Sequence, residues 1–127
     1  MVKNNDILIV EDDIALITAL NNKFSESGFT VYKAYDGEEG LNIAYEKHPD
    51  ILLLDILIPK LDGITLLSKL REDEWGSKVP VVIMSNLSFS EYEINACNKY
   101  KVKKYLTKAD WDINKIEEEV EKYILKA

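Results

Sequence analysis

Five short hydrophobic runs are spread along the chain, and each is rich in the β-branched and aliphatic residues that favour strands. The predicted strands are residues 7–10, 29–35, 51–54, 79–84 and 102–106. More polar segments with apolar residues at helical spacing separate them, so strands and helices alternate. Such alternation is typical of a parallel sheet with helices on both of its faces.

The segments between the strands carry the pattern of amphipathic helices. Their apolar stripes include Ile14, Ile17, Leu20 and Phe24 in the first, Ile64, Leu67 and Leu70 in the third, Ile94 and Cys97 in the fourth, and Ile113, Ile116, Val120 and Ile124 in the last. Candidate N-terminal caps are Asp13, Asp36, Asp62, Ser88 or Ser90, and Asp112. Such side chains accept hydrogen bonds from first-turn amides. Gly28 and His48-Pro49 are typical helix stops.

The strands differ in how continuous their apolar runs are, and this difference predicts their order. The first, third and fourth are almost uninterrupted, as expected of strands buried on both faces. The second alternates at Val31 and Lys33 and the fifth contains Lys103-Lys104, a pattern typical of sheet edges. We therefore predict a single α/β domain over residues 1–127. Its five-stranded parallel sheet has the order 2-1-3-4-5, which is the flavodoxin-like, doubly wound arrangement.

Composition narrows the classes of function. The chain has 127 residues with 16 Lys+Arg against 23 Asp+Glu, a net charge of −7, and Arg71 as its single arginine. This acidic balance argues against direct nucleic-acid binding, which depends on a dense cationic surface. The single cysteine, Cys97, excludes an internal disulfide and a multi-cysteine zinc site. No apolar run reaches the roughly 20 residues that cross a bilayer, and the polar start is not a signal peptide. We expect a cytoplasmic protein without membrane contact, and an acidic, solvated helix face at residues 117–121.

Chemically active side chains are predicted to gather at the carboxyl ends of the strands. Strand one runs into Glu11-Asp12-Asp13, strand three into Asp55, strand four into Ser85-Asn86 and strand five into Thr107-Lys108. In open α/β sheets the site lies at this edge, near the change in strand order. Converging carboxylates repel one another unless a cation bridges them, and an oxygen-only ligand set suits Mg²⁺. An ammonium and a hydroxyl at the same place suit a phosphoryl group.

The ordered set of motifs resembles the receiver domain of two-component response regulators over essentially the whole chain. The matching segments are residues 7–13, 53–63, 81–85 and 104–108. The resemblance implies that Asp55 is the phosphoacceptor, that Lys108 pairs with a phosphoryl oxygen and that Ser85 hydrogen-bonds another. It also implies a Mg²⁺ site made of Glu11, Asp12, Asp55 and the backbone carbonyl of Leu57. Tyr105 would rotate from exposed to buried as Ser85 moves, changing the face formed by helix four, strand five and helix five.

The same resemblance implies the partners. A sensor histidine kinase or a phosphotransfer protein would supply the phosphoryl group, and the domain would catalyse only its own phosphoryl transfer and hydrolysis. The downstream partner is not indicated by the sequence, and a phosphorylation-dependent homodimer stays open. Leu57 and Leu87 flank the acceptor without a group that orients water, which predicts slow self-dephosphorylation.

Three positions depart from the receiver pattern. Ala109 follows the lysine where the family usually has proline, Asn86 replaces a small residue, and Lys101-Val102 replaces a Gly-Ala step. The first two support an alternative, a degenerate receiver that acts as a phosphorylation-independent interaction module.

An enzyme on the same fold is a third class. A flavin carrier is disfavoured because Glu11-Asp12-Asp13 would repel the flavin phosphate. An aspartyl-nucleophile phosphatase is disfavoured because Leu57 stands where a second acid is needed.

Overall fold

The computed structural model describes residues 5–85, 89–110 and 112–124, in which strands and helices alternate. The strands are β1 (Asp6–Val10), β2 (Thr30–Ala34), β3 (Ile51–Asp55), β4 (Val81–Ser85) and β5 (Lys104–Thr107). The helices are α1 (Ile14–Glu26), α2 (Gly37–Lys47), α3 (Gly63–Glu72), α4 (Glu91–Lys99) and α5 (Ile113–Glu121), with a 3-10 turn at Lys108–Asp110. The predictions for Asn86, Leu87 and Ser88 lie outside the described residues.

The five strands form one parallel sheet in the order β2-β1-β3-β4-β5, which confirms the predicted fold class. β1, β3 and β4 are central and almost completely buried, whereas β2 and β5 are the edges. Continuous apolar runs therefore identified the central strands correctly, because strands with a neighbour on each side are buried along almost their whole length.

Two hydrophobic cores lie on opposite faces of the sheet. One holds Leu8 and Val10 of β1 with residues of α2, α3 and α4, and the other holds Ile7 and Ile9 with residues of α1 and α5. Alternate side chains of a strand point to opposite faces, so each central strand contributes to both cores. The sheet is thus packed against helices on both of its faces.

The helix starts follow the predicted capping chemistry. The side chains of Asp13, Asp36, Asp62, Ser90 and Asp112 each accept a hydrogen bond from a first-turn amide. At α4 a reciprocal bond from the Ser90 amide to Glu93 completes a capping box. Each predicted cap within the described residues therefore lies at the start of a helix.

Two expectations at the carboxyl-terminal end need correction. β5 begins at Lys104, two residues later than predicted, because the Val102 amide bonds to the Cys97 carbonyl and closes α4 instead. The acidic run at 117–121 is not uniformly solvated. Glu119 is buried, and its carboxylate accepts hydrogen bonds from Tyr123 and Lys122 at 3.2 and 3.1 Å. Within the described residues, no helix has the length and apolar character needed to span a membrane.

Candidate functional site

The carboxyl ends of β1 and β3 bring three acidic side chains together. Asp55 is the last residue of β3, and Glu11 directly follows β1, whose Val10 is in register with Leu54. Carboxylate oxygens of Glu11, Asp12 and Asp55 all lie within 4.8 Å of one another. Neighbouring parallel strands end at the same edge, so residues 44 apart in sequence meet because of the strand order.

Two of the three acidic residues are buried, and the third is exposed to solvent. Glu11 is buried and Asp55 is 3% exposed, whereas Asp12 is exposed to solvent. A buried carboxylate is costly unless it is paired or hydrogen-bonded. The exposed position of Asp12 leaves a route from solvent to the two buried carboxylates.

Lys108 supplies the positive charge in this cluster. Its ammonium donates to Asp55 Oδ2 at 3.0 Å and forms an ion pair with Glu11 Oε1. Burial alone would lower the pKa of Lys108, but the bonds to Glu11 and Asp55 raise it above its ordinary value. The lysine is therefore positively charged at neutral pH. The residue after it is Ala109, where the receiver pattern has proline. The described residues contain no cis peptide bond.

Burial is the dominant influence on the pKa of the Glu11 carboxyl. It raises the pKa of this carboxyl from 4.5 to about 7, although bonds from Lys108 and from the Asp13 amide at 3.0 Å lower it. The charge on Asp55 nearby raises it further. One ammonium among three carboxylates does not balance their negative charge. The donor set therefore fits a small, hard divalent cation such as Mg²⁺.

The backbone after β3 holds Asp55 in place. The Leu57 amide donates to Asp55 Oδ1 at 3.2 Å, and the Gly63 amide donates to the Ile56 carbonyl at 2.8 Å. A Cβ at Gly63 would come within 2.6 Å of the Asp55 carbonyl oxygen, so only glycine allows α3 to begin here. Sequence reasoning missed this support, for which the only signal is the Asp62-Gly63 step at the helix start.

The two predicted switch residues lie on β4, the neighbour of β3, and on β5, the neighbour of β4. Ser85 is buried at the end of β4, in register with Thr107 of β5. Tyr105 of β5 is 38% exposed and makes an edge contact with Phe89, with ring centroids 4.8 Å apart. Tyr105 is therefore partly exposed, and its rotation stays a prediction.

Comparison with known proteins assigns the chain to a family. The family described as "response regulator receiver domain" matches residues 7–121. The chain belongs to this family. It is a receiver domain of the two-component type, and the acidic cluster of Glu11, Asp12 and Asp55 fits a phosphorylation site.

Solved receiver domains share the fold across nearly the full chain. The receiver domain of the Francisella response regulator 1452 is 32% identical, with a TM-score of 0.83, and the match covers 94% of this chain and 96% of that one. CheY from Borrelia burgdorferi, solved in a CheX-CheY-BeF3-Mg+2 complex, is 30% identical with a TM-score of 0.84. That match covers 96% of this chain and 90% of the other.

Curated relatives are longer proteins. The probable transcriptional regulator ycf29 of Pyropia yezoensis is 38% identical over 79 residues, which is 62% of this receiver domain and 36% of the relative. The chain spans between 30% and 36% of the length of the curated relatives it matches.

Proposed function

We propose that Asp55 of this receiver domain accepts a phosphoryl group from a phosphohistidine of a sensor histidine kinase or a phosphotransfer protein. A carboxylate oxygen of Asp55 bonds to phosphorus while the phosphorus–nitrogen bond of the donor breaks, and the imidazole leaves with that electron pair and takes up a proton. The supporting observation is the position of Asp55. It is almost fully buried, lies beside the solvent-exposed Asp12 and accepts a hydrogen bond from Lys108.

Mg²⁺ is the cofactor that this proposal requires. Glu11, Asp12, the Asp55 carboxylate and the backbone carbonyl of Leu57 would hold it, and the three carboxylates within 4.8 Å support the assignment. When bound, the ion neutralises negative charge on the phosphoryl oxygens. CheY of Borrelia burgdorferi, which is 30% identical, has been solved in a complex with BeF3 and Mg+2.

Lys108 and Ser85 would hold the phosphoryl oxygens after transfer. The Lys108 ammonium already lies 3.0 Å from Asp55 Oδ2, so it needs little movement to pair with an added oxygen. Ser85 would donate its hydroxyl to another oxygen, and Tyr105 would follow it inward. This movement would alter the face made of α4, β5 and α5, which is where we place the downstream partner.

The proposal concerns a signalling domain that catalyses only its own phosphoryl transfer and hydrolysis. We treat residues 1–127 as one receiver domain, since one sheet with a core on each face accounts for the described residues. Several relatives are named as transcriptional regulators, but the chain spans only about a third of their length. Direct nucleic-acid binding is not expected of this acidic domain.

The decisive experiment is phosphorylation by acetyl phosphate, read by intact-protein mass spectrometry. We expect one added phosphoryl group that requires Mg²⁺ and is lost in Asp55→Asn. Asp36→Asn is the matched control, because asparagine caps α2 as well as aspartate does and the fold is kept. A phosphoryl group that persists in Asp55→Asn would overturn the assignment.

The same experiment separates the receiver from its degenerate alternative. A wild-type chain that gains no phosphoryl group and shows no Mg²⁺-dependent binding of BeF₃⁻ would favour a phosphorylation-independent interaction module. Phosphorylation of the wild type excludes that alternative.

The lifetime of the phosphorylated state is a further test. Leu57 is 53% exposed beside Asp55 and carries no group that could orient an attacking water, while Leu87 lies outside the described residues. We expect Leu57→Asn to release phosphate faster than the wild type in a time course. Faster release by the wild type would contradict this interpretation.

A further inference from the structure

A small cationic pocket lies at the opposite end of the molecule from Asp55. Its volume is about 200 Å³, and its lining residues are Arg71, Ser77, Lys99, Tyr100 and Lys101. Helices of a parallel α/β sheet run back from the carboxyl edge, so the C-terminal ends of α3 and α4 meet at the amino edge of the sheet. The pocket therefore cannot share ligands with the acidic cluster.

The charge of this pocket contrasts with that of the chain. Three of its five lining residues are cationic and none is acidic, in a protein whose net charge is −7. The Lys99 ammonium lies 5.3 Å from the centroid of the Tyr100 ring, which forms part of the same wall. A concave site with three cations and no carboxylate favours an anion of more than one charge.

Arg71 is fixed in position by neutral partners. Its Nη1 donates to the carbonyls of Gly76 and Val79, both at 2.7 Å, and its Nε donates to the Tyr100 carbonyl at 2.9 Å. These bonds do not neutralise the guanidinium, and they orient its plane. Within the described residues Nη2 has no protein acceptor, so it keeps two N–H groups for a ligand.

Lys101 occupies a backbone conformation that favours glycine. Its φ is +57°, in the left-handed region, where the Cβ of an L residue is unfavourably close to the backbone. Backbone strain of this kind is found preferentially at functional sites. Here the lysine contributes an ammonium to the pocket wall that a glycine would not supply.

We propose that this pocket binds a phosphate dianion, either as free inorganic phosphate or as the phosphate group of a small phosphomonoester. Arg71 can donate to phosphate oxygens from Nη2, because its Nε and Nη1 are bonded to backbone carbonyls. The ammonium groups of Lys99 and Lys101 supply two further positive charges. A monocarboxylate would offer only two oxygens and one charge to these donors. The pocket volume is sufficient for a phosphate group with a short substituent.

The test is a titration of the ¹⁵N-labelled full chain with inorganic phosphate, at constant ionic strength and with EDTA to exclude metal. We expect the amide resonances of Ser77, Tyr100 and Lys101 to shift and saturate at millimolar phosphate. A parallel titration with glycerol 3-phosphate distinguishes the two sources: tighter binding of the ester indicates a phosphomonoester, and equal binding indicates free phosphate. Shifts that stay linear without saturation for both compounds would overturn the proposal.

Lys101→Gly is the most informative variant. It removes one cation and also relieves the left-handed strain, and urea denaturation checks that the variant is at least as stable as the wild type. We expect phosphate affinity to fall about fivefold, as for loss of one charge-assisted contact. Lys103→Gln, an exposed lysine outside the pocket, should keep wild-type affinity. Equal affinity of Lys101→Gly and the wild type would contradict the assignment.

Discussion

Lys108 and Arg71 are two partly or largely buried cations at opposite ends of the sheet, and the protein stabilises them in different ways. Lys108 is bonded to the carboxylates of Glu11 and Asp55, within a cluster that contains more negative charge than the lysine can balance. Arg71 is bonded to three neutral backbone carbonyls, so its positive charge stays uncompensated nearby. We therefore expect the first region to attract a metal cation and the second to attract an anion.

The comparison also separates the roles of the two residues in stability. The bonds of Arg71 join three segments of the chain, which are α3, the loop after it and the end of α4. Lys108 joins acidic side chains whose burial is itself unfavourable. Loss of Arg71 should therefore cost more folding free energy than loss of charge in the acidic cluster.

The largest expected effect is that of Arg71→Met. The change leaves three carbonyls without their donor, and we expect the free energy of unfolding to fall by about 3 kcal/mol. Urea denaturation followed by circular dichroism measures it. Lys69→Met, on the exposed face of the same helix, is the matched control and should change stability by less than about 0.5 kcal/mol. A loss below about 1 kcal/mol in Arg71→Met would show that the carbonyls find other partners.

Next in size is the effect of Mg²⁺ on the acidic cluster. At a concentration about thirtyfold above its dissociation constant, Mg²⁺ should stabilise the folded state by about 2 kcal/mol, because the ion binds only the assembled carboxylates. Thermal denaturation with and without EDTA measures the shift. Asp12→Ala should abolish it, while Glu46→Gln, an exposed acid outside the cluster, should respond like the wild type. An unchanged response in Asp12→Ala would place the ion elsewhere.

The smallest expected effect is a gain in stability. Lys101→Gly relieves the strain of a left-handed backbone conformation, which stabilises the folded state. Glycine also gives the unfolded chain more conformational freedom, which opposes this gain. We expect the free energy of unfolding to increase by about 0.5–1 kcal/mol. Urea denaturation measures it in the absence of phosphate. A decrease would mean that contacts of the lysine side chain outweigh the strain.

The fold could be predicted from the sequence because its signals are local. Continuous apolar runs marked β1, β3 and β4 as central, and the lysines of β2 and β5 marked the edges. The start of β5 was wrong because Lys101 continues the end of α4 in a left-handed turn, a conformation expected of glycine. Glu119 was wrongly assigned to a solvated face, since an acidic run does not reveal which member faces the α5 core.

The acidic cluster could be predicted because its members stand at strand ends whose order the pattern gives. Glu11, Asp12 and Asp55 needed only the adjacency of β1 and β3 to be brought together. The pocket around Arg71 gave no such signal. Its partners are backbone carbonyls, which every residue carries, so no sequence pattern identifies them.

The position of β5 at the sheet edge has a consequence for local motion. Among the described residues its only strand neighbour is β4, whereas β3 is paired on both sides. A strand with one neighbour can detach by breaking a single ladder, so its amides should exchange with deuterated solvent well before those of β3. Lys108 immediately follows this strand and Tyr105 lies within it, so an edge strand that is held by one ladder connects the buried acids to the outer surface.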